Sequence, residues 1–322
     1  MRMLNDTHEA NADLPETLKA MLPIRDTENK SVLKVCPFLT LYFKNAHLES
    51  TRMAVIDCAE EFLAAFKDDI EWGLLGVGKP QAAGTFSENA TRNYLQSVDV
   101  TNDDGWQIYW QSDAPNEASD CGLQAFGKSQ QQSEELGHLS YLSVHFPLQS
   151  PLSEPEALLE LALRWCEKLD PFHGYGGMGI IHSSDRFVAA QHEIKEYALA
   201  QRFPALEVDY PLKHALWSRE GIKGGNWLTI LSSYWDQKLK QGDSQFKLSA
   251  AFEIHPYSGG IIIRAGKSPI VADHNSGAKP PIYNELAQAL HPIRLTTHPA
   301  VHTSQGKFTR QAFEEWLERF DN

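Results

Sequence analysis

The run Val32-Leu33-Lys34-Val35-Cys36-Pro37-Phe38-Leu39-Thr40-Leu41-Tyr42-Phe43 constrains the fold more than any other stretch of this chain. Its β-branched and aromatic residues read as a strand, and Pro37, which has no N–H for a ladder, predicts a bulge or an edge position. Directly after it, Ser50 is placed to cap a helix whose Met53, Ile56, Ala59, Leu63 and Phe66 recur at helical spacing. A strand that feeds a helix with one apolar stripe calls for sheet and helix layers around a shared core.

The same alternation continues along the chain. A short helix is expected around Glu16 to Met21, and strands at Trp106 to Trp110 and Leu139 to Phe146. Ser153-Glu154-Pro155-Glu156 reads as a capping box for a helix through Leu158, Leu161, Ala162 and Trp165. Gly174-Tyr175-Gly176-Gly177-Met178-Gly179 reads as a tight turn ahead of a strand ending at His182, and Asp185 to Arg202 as one helix. Further on, Trp227 to Leu231 predicts a strand and Tyr234 to Lys240 a short helix. Residues 251–256 and 260–264 predict a hairpin turned at Ser258-Gly259. Pro280-Pro281 opens a helix through Leu286 and Leu290, and Thr309 caps a last one with Phe313, Trp316, Leu317 and Phe320 on one face. The expected fold is α+β, with mixed or antiparallel sheets and helices packed on them, in two similar α/β-sandwich halves. The division is a connector over 1–30, an N-terminal half over 31–202 and a C-terminal half over 203–322.

Charge narrows the choice of partner. Lys and Arg number 29 against 42 Asp and Glu, a formal net charge of -13. Nucleic-acid binding rests on phosphate neutralisation, so this balance opposes it; it favours a basic partner or serves solubility alone, and an acidic run can equally be a solvated loop. Eight acids against one base, Lys128, lie within residues 99–135. Cys36, Cys58, Cys121 and Cys166 are widely spaced and read as reduced, buried thiols. Asp6, Glu9 and Asp13 stand where a signal peptide needs an apolar core, and no stretch has the length of a membrane span, so a soluble cytoplasmic protein is expected.

No catalytic set stands out. The glycine-rich 174–179 stretch precedes a strand and lacks G-K-[ST], so it is no phosphate cradle. His298 and His302 flank Pro299, and His182 and His192 lack nearby partners, which is not zinc spacing. Glu193-Ile194-Lys195 has the acid-x-Lys form of metal-dependent nucleases, with Asp185 upstream. On a helix, however, Glu193 and Lys195 point apart, and a solvent-facing helix accounts for them better. G-x-S-x-G is absent. No cofactor, no metal and no small-molecule substrate are expected.

The stretch from Gly221 to Arg294 carries the densest pattern. Gly224-Gly225 before Asn226-Trp227 lets the chain turn and bury an indole. Arg264 beside Gly266, with Asp273 and Asn275 a turn later, predicts a buried ion-pair cluster that pins the loop to the hairpin. A broken buried pair costs about 3–5 kcal/mol, so such groups are architectural. With Ile222-Lys223, Pro280-Pro281-Ile282-Tyr283 and Pro292-Ile293-Arg294, this string resembles the TsiV family, immunity proteins against VRR-Nuc nuclease toxins delivered by type VI secretion. Two departures are Gly225, where the family pattern has a small β-branched residue, and Ala272, where a Gly precedes the Asp.

The resemblance implies a binding protein rather than an enzyme. Its partner would be a VRR-Nuc toxin, a PD-(D/E)xK-type metal-dependent DNase, whose basic DNA groove an acidic surface would occlude. On that reading the contact falls on Asp99, Asp103, Asp104, Asp113, Glu117 and Asp120, with Trp106, Tyr109 and Trp110 as aromatic anchors. The competing assignment puts those aromatics in the core. A metal-dependent hydrolase with an unrecognised site and a secretion-system adaptor are the alternatives in other functional classes.

Overall fold

A computed structural model describes residues 14–99, 105–241, 248–277, 280–301 and 304–321. Strands are β1 (Ile24–Arg25), β2 (Ser31–Phe43), β3 (Trp72–Leu75), β4 (Gln81–Ala82), β5 (Trp106–Gln111), β6 (Gly122–Gly127), β7 (Ser140–His145), β8 (His173–His182), β9 (Glu207–Val208), β10 (Leu228–Ser232), β11 (Phe252–Tyr257) and β12 (Gly260–Ala265). Helices are α1 (Glu16–Lys19), α2 (Glu49–Phe66), α3 (Ala90–Ser97), α4 (Gln130–Glu134), α5 (Pro155–Leu169), α6 (Arg186–Gln191), α7 (Glu193–Arg202), α8 (Pro211–Ala215), α9 (Ser233–Gln241), α10 (Pro281–Leu290) and α11 (Arg310–Leu317). The fold is α+β: one sheet runs β11-β12-β10-β8-β2-β7-β6-β5-β3-β4, with β1 on β2 and β9 on β8. Every pairing is antiparallel except that of β8 with β9.

The sheet has two unlike faces. Leu39, Leu41, Leu142, Val144, Ala125 and Trp110 share one face by register, and α2, α3 and α5 pack on it around Phe62, Phe66, Leu158 and Trp165. Thr40, Tyr42, Tyr141, Ser143, His173, Tyr175 and Thr229 share the other, an unusually polar row for a sheet interior. The return segment after β9 covers part of it, docking through the Leu139 N–H on the Ala215 carbonyl at 2.9 Å. A smaller apolar cluster joins α1, α7 and α11 to Leu33, Val35, Met178, Ile180 and Val208.

Several local expectations are corrected. Pro37 is at neither a bulge nor an edge, since β2 lies between β7 and β8 and pairs Pro37 with Met178. Its carbonyl accepts from Phe146 N at 3.0 Å, so its nitrogen faces the side where the β7 ladder has just ended and no β8 bond is lost. Helix α2 begins at Glu49 with Leu48 extended before it, which leaves Ser50 inside the helix. The Ser153 hydroxyl bonds the Pro147 carbonyl instead of capping α5, whose N-cap is Glu154. Residues 174–179 form no turn but lie inside β8, where the glycines admit close neighbours: a Cβ on Gly177 would overlap Asn226 Oδ1. The helix expected over 185–202 breaks at His192 into α6 and α7.

Arg264 and Asp273 do not meet. Arg264 pairs with Glu156 at 2.6 Å and Glu253 at 3.1 Å, whereas Asp273 takes Arg202 at 2.8 Å and Thr17 at 2.8 Å. Arg264 lies on the face that meets α5, and Asp273 turns toward the helices of the smaller cluster. Asn275 donates its backbone N–H to Asp273 Oδ1, a local turn bond. Glu193 is buried, not solvent-facing: its carboxylate accepts from the backbone N–H groups of Gln305, Lys307 and Phe308 and anchors that loop. Lys195 turns away to the Arg25 carbonyl.

Candidate functional site

The polar sheet face is held by a cluster of buried charge. Lys223 is 2% exposed and donates to Glu207 Oε1 at 2.9 Å and Asp209 Oδ1 at 2.8 Å. Glu207 Oε2 accepts from Asn226 Nδ2 at 2.9 Å and Arg319 Nη2 at 3.2 Å, and Asp209 Oδ2 accepts from Thr40 at 2.6 Å. Burial holds the Arg319 guanidinium down to about 10, with Glu207 pulling the other way. The backbone N–H of Lys223 donates to the Tyr175 hydroxyl at 2.8 Å. Two carboxylates and two cations thus neutralise one another away from water, which is tolerable because each carboxylate also has neutral donors.

This cluster explains the Ile222 to Trp227 motif. Lys223 and Asn226 bind Glu207, and Asn226 Oδ1 accepts from the Trp227 N–H at 2.7 Å. Gly224 and Gly225 make the turn between them, and Trp227 is buried with its Nε1 on the Gly266 carbonyl at 3.0 Å. A Cβ on Gly225 would overlap Leu286 of α10, so the departure from the family pattern there is matched by a leucine filling the space. Tyr283 accepts from Ile270 N at 3.1 Å, and Arg294 pairs with Asp321. These residues are scaffold.

Next to the cluster, the polar face opens into a slot of about 90 Å³ whose lining includes Phe38, Tyr109, Gln124, Ser143, His145 and Asp209. Its far wall is made by Ser184, Asp209 and Pro211, and the Tyr109 hydroxyl is hydrogen-bonded to that of Ser184. His145 bonds Ser119 at 2.8 Å, and burial holds its imidazole near 3, hence neutral. Loop 113–120 closes the near side, its Pro115 carbonyl accepting from the Ser183 and Ser184 hydroxyls at 2.9 and 3.1 Å.

The nominated contact residues therefore separate. Trp106 and Trp110 are core, with their indole N–H groups on the Ala46 carbonyl and Thr91, and are not surface anchors. Tyr109, one position from Trp110 and three from Trp106, faces the opposite way and lines the slot. Asp113 and Asp120 flank Lys34 at 3.3 and 2.8 Å, and Glu117 accepts from the Ser31 N–H at 3.2 Å. Asp99 is exposed after α3, and Asp103 and Asp104 lie outside the described residues. The slot itself went unseen in the sequence because its residues come from six separated segments.

His214 and His298 form a buried pair at 2.8 Å. The Pro299 carbonyl can only accept, so His298 Nδ1 carries a proton and its Nε2 accepts from His214. Among the described residues, no group of three or more His, Cys, Asp or Glu is placed to hold a metal, and no helix is long and apolar enough to cross a membrane.

The sequence profile described as "TsiV: Type VI immunity for VRR-NUC" matches residues 54–320. The solved structure of the Pseudomonas aeruginosa T6SS protein PA0821 superposes with a TM-score of 0.81 at 25% identity, covering 90% of this chain and 83% of that one. No curated protein matches the chain.

Proposed function

Because the chain belongs to the TsiV family, type VI immunity for VRR-Nuc, we propose that it binds a cognate VRR-Nuc DNase and blocks access of DNA to its active site. The family match over residues 54–320 carries this reading. The protein works by binding in the cytoplasm, with no catalytic step of its own and no cofactor. Its partner is a protein rather than nucleic acid or a small molecule. Net charge supports the reading, since -13 attracts the cationic surface that a DNA-cleaving enzyme needs. The contact lies on the polar sheet face, where Tyr109 lines a preformed slot and the loop beside it carries Asp113, Glu117 and Asp120 against Lys34 of β2.

The test uses a purified VRR-Nuc nuclease as the candidate partner. Wild-type protein is expected to bind it, to suppress its DNase activity stoichiometrically, and to associate more slowly as salt rises, because steering by exposed charge is screened. The double variant Glu117→Gln, Asp120→Asn keeps the local hydrogen bonds and is expected to slow association several-fold. Unchanged rates would remove this loop from the interface, and absence of binding by the wild type would end the immunity reading.

A further inference from the structure

We propose that the slot on the polar sheet face receives an arginine side chain of the partner. The inference rests on the effector-binding reading and says which chemical group that partner presents. Thr40 has one hydroxyl proton and gives it to Asp209 Oδ2 at 2.6 Å. The 2.8 Å contact between Thr40 and Ser143 is therefore donated by Ser143, whose oxygen lone pairs face the slot. Ser143, Thr40 and Asp209 form a one-way chain ending in a carboxylate whose other oxygen is held by Lys223.

A slot so wired accepts hydrogen bonds and has few to give. A phosphate or carboxylate entering it would meet lone pairs, whereas a guanidinium brings five N–H donors and no acceptor. The slot holds about 90 Å³, and Phe38 and Tyr109 contribute aromatic rings to the lining, surfaces over which a planar cation is attracted. Gln124, exposed at the mouth, adds an amide that can turn its carbonyl to a guanidinium and its NH2 to solvent.

The surroundings suit a protein partner better than a free cation. Leu212 follows Pro211 of the wall and is 45% exposed, and Phe187, three residues beyond Ser184, is 68% exposed. Neither lines the slot itself, but both are exposed apolar side chains within three residues of its wall, and apolar groups flanking a polar pocket favour an inserted arginine anchor by excluding water. A DNA-binding groove supplies such arginines, so the same contact would remove from the nuclease a residue it needs for phosphate.

Two measurements test the slot separately from the immunity reading. Titration of the full chain with N-acetyl-arginine methylamide, followed by NMR, is expected to shift the amides of Tyr109, Gln124 and Ser143, with Kd on the order of 1–10 mM. The glutamate analogue is expected to leave them unmoved. Absence of arginine shifts, or equal shifts with glutamate, would overturn the proposal whatever the protein does in cells. In the second measurement, Gln124→Trp places a ring across the mouth at an exposed position and leaves thermal stability as it was. It is expected to weaken effector binding at least tenfold. Ser143→Leu, which fills the slot from its floor, should give the same loss if it folds. Wild-type affinity in a folded Gln124→Trp variant overturns the slot and leaves the immunity reading standing.

Discussion

Replacing Lys223 by Met is the most exacting test of the buried charge cluster. The substitution keeps the length of the side chain and removes the ammonium that bridges Glu207 at 2.9 Å and Asp209 at 2.8 Å. Both carboxylates then keep only neutral or more distant donors in a site where Lys223 and Glu207 side chains are each 3% exposed. Breaking a buried pair by removing one partner costs about 3–5 kcal/mol, because the surviving charge stays desolvated. Unfolding entropy of about 2.1 cal/mol/K per residue gives roughly 0.7 kcal/mol/K for this length. The melting temperature should therefore fall by about 4–7 °C. Urea denaturation and calorimetry on Lys223→Met, Glu207→Gln and the double variant complete a cycle. Removing the lysine should cost less once Glu207 is neutral, with a coupling of about 1–3 kcal/mol. Strict additivity, or a loss below about 1 kcal/mol in Lys223→Met, would show that the cluster is solvated and the reasoning wrong.

Acid should unfold the protein through its buried imidazoles. Burial depresses His173 to about 3 and His298 to about 4, both below the unfolded-state value near 6.5. The stability they contribute is whole above about pH 6.5 and is lost as pH falls toward 4 and then 3, by up to about 1.4 kcal/mol per pH unit for each. His173→Phe should flatten that slope in urea midpoints measured across pH, and an unchanged slope would refute the assignment. Gly177→Ala should destabilise the protein by about 1–3 kcal/mol, since its Cβ must push Asn226 off the Glu207 carboxylate or off the Trp227 N–H. A neutral result in thermal melts would mean that β8 and the 223–227 turn can move apart freely.

What could be read in the sequence was periodicity, and what could not was convergence. The hairpin of β11 and β12 and the Thr309 cap, whose hydroxyl accepts from the Ala312 N–H at 3.2 Å, were legible because each is settled by near neighbours. Ser50 and Ser153 failed as caps because residues with cap chemistry are common and backbone geometry chooses among them. The glycines of β8 misled for a related reason: a glycine that lets the chain turn and one that lets another segment approach look alike in sequence. The alternation of Trp106, Ile108 and Trp110 against Gln107 and Tyr109 already divided core from surface, and it was the signal against tryptophan anchors. Glu207 and Asp209, alternating with Leu206, Val208 and Tyr210 two residues apart, had the pattern of a strand with one charged face. Nothing in the sequence said that Lys223 and Arg319 would meet that face.

The lining of the slot comes from Phe38, Tyr109, Gln124, Ser143 and Asp209, so its walls are delivered by the chain in instalments. During synthesis, β2 and β5 to β7 emerge well before residue 209, and until that return segment docks there is an open polar sheet and no recess. The wall that Asp209 and Pro211 add to the proposed anchor site is consequently a late product of folding, and a molecule frayed there presents a shallower, open face.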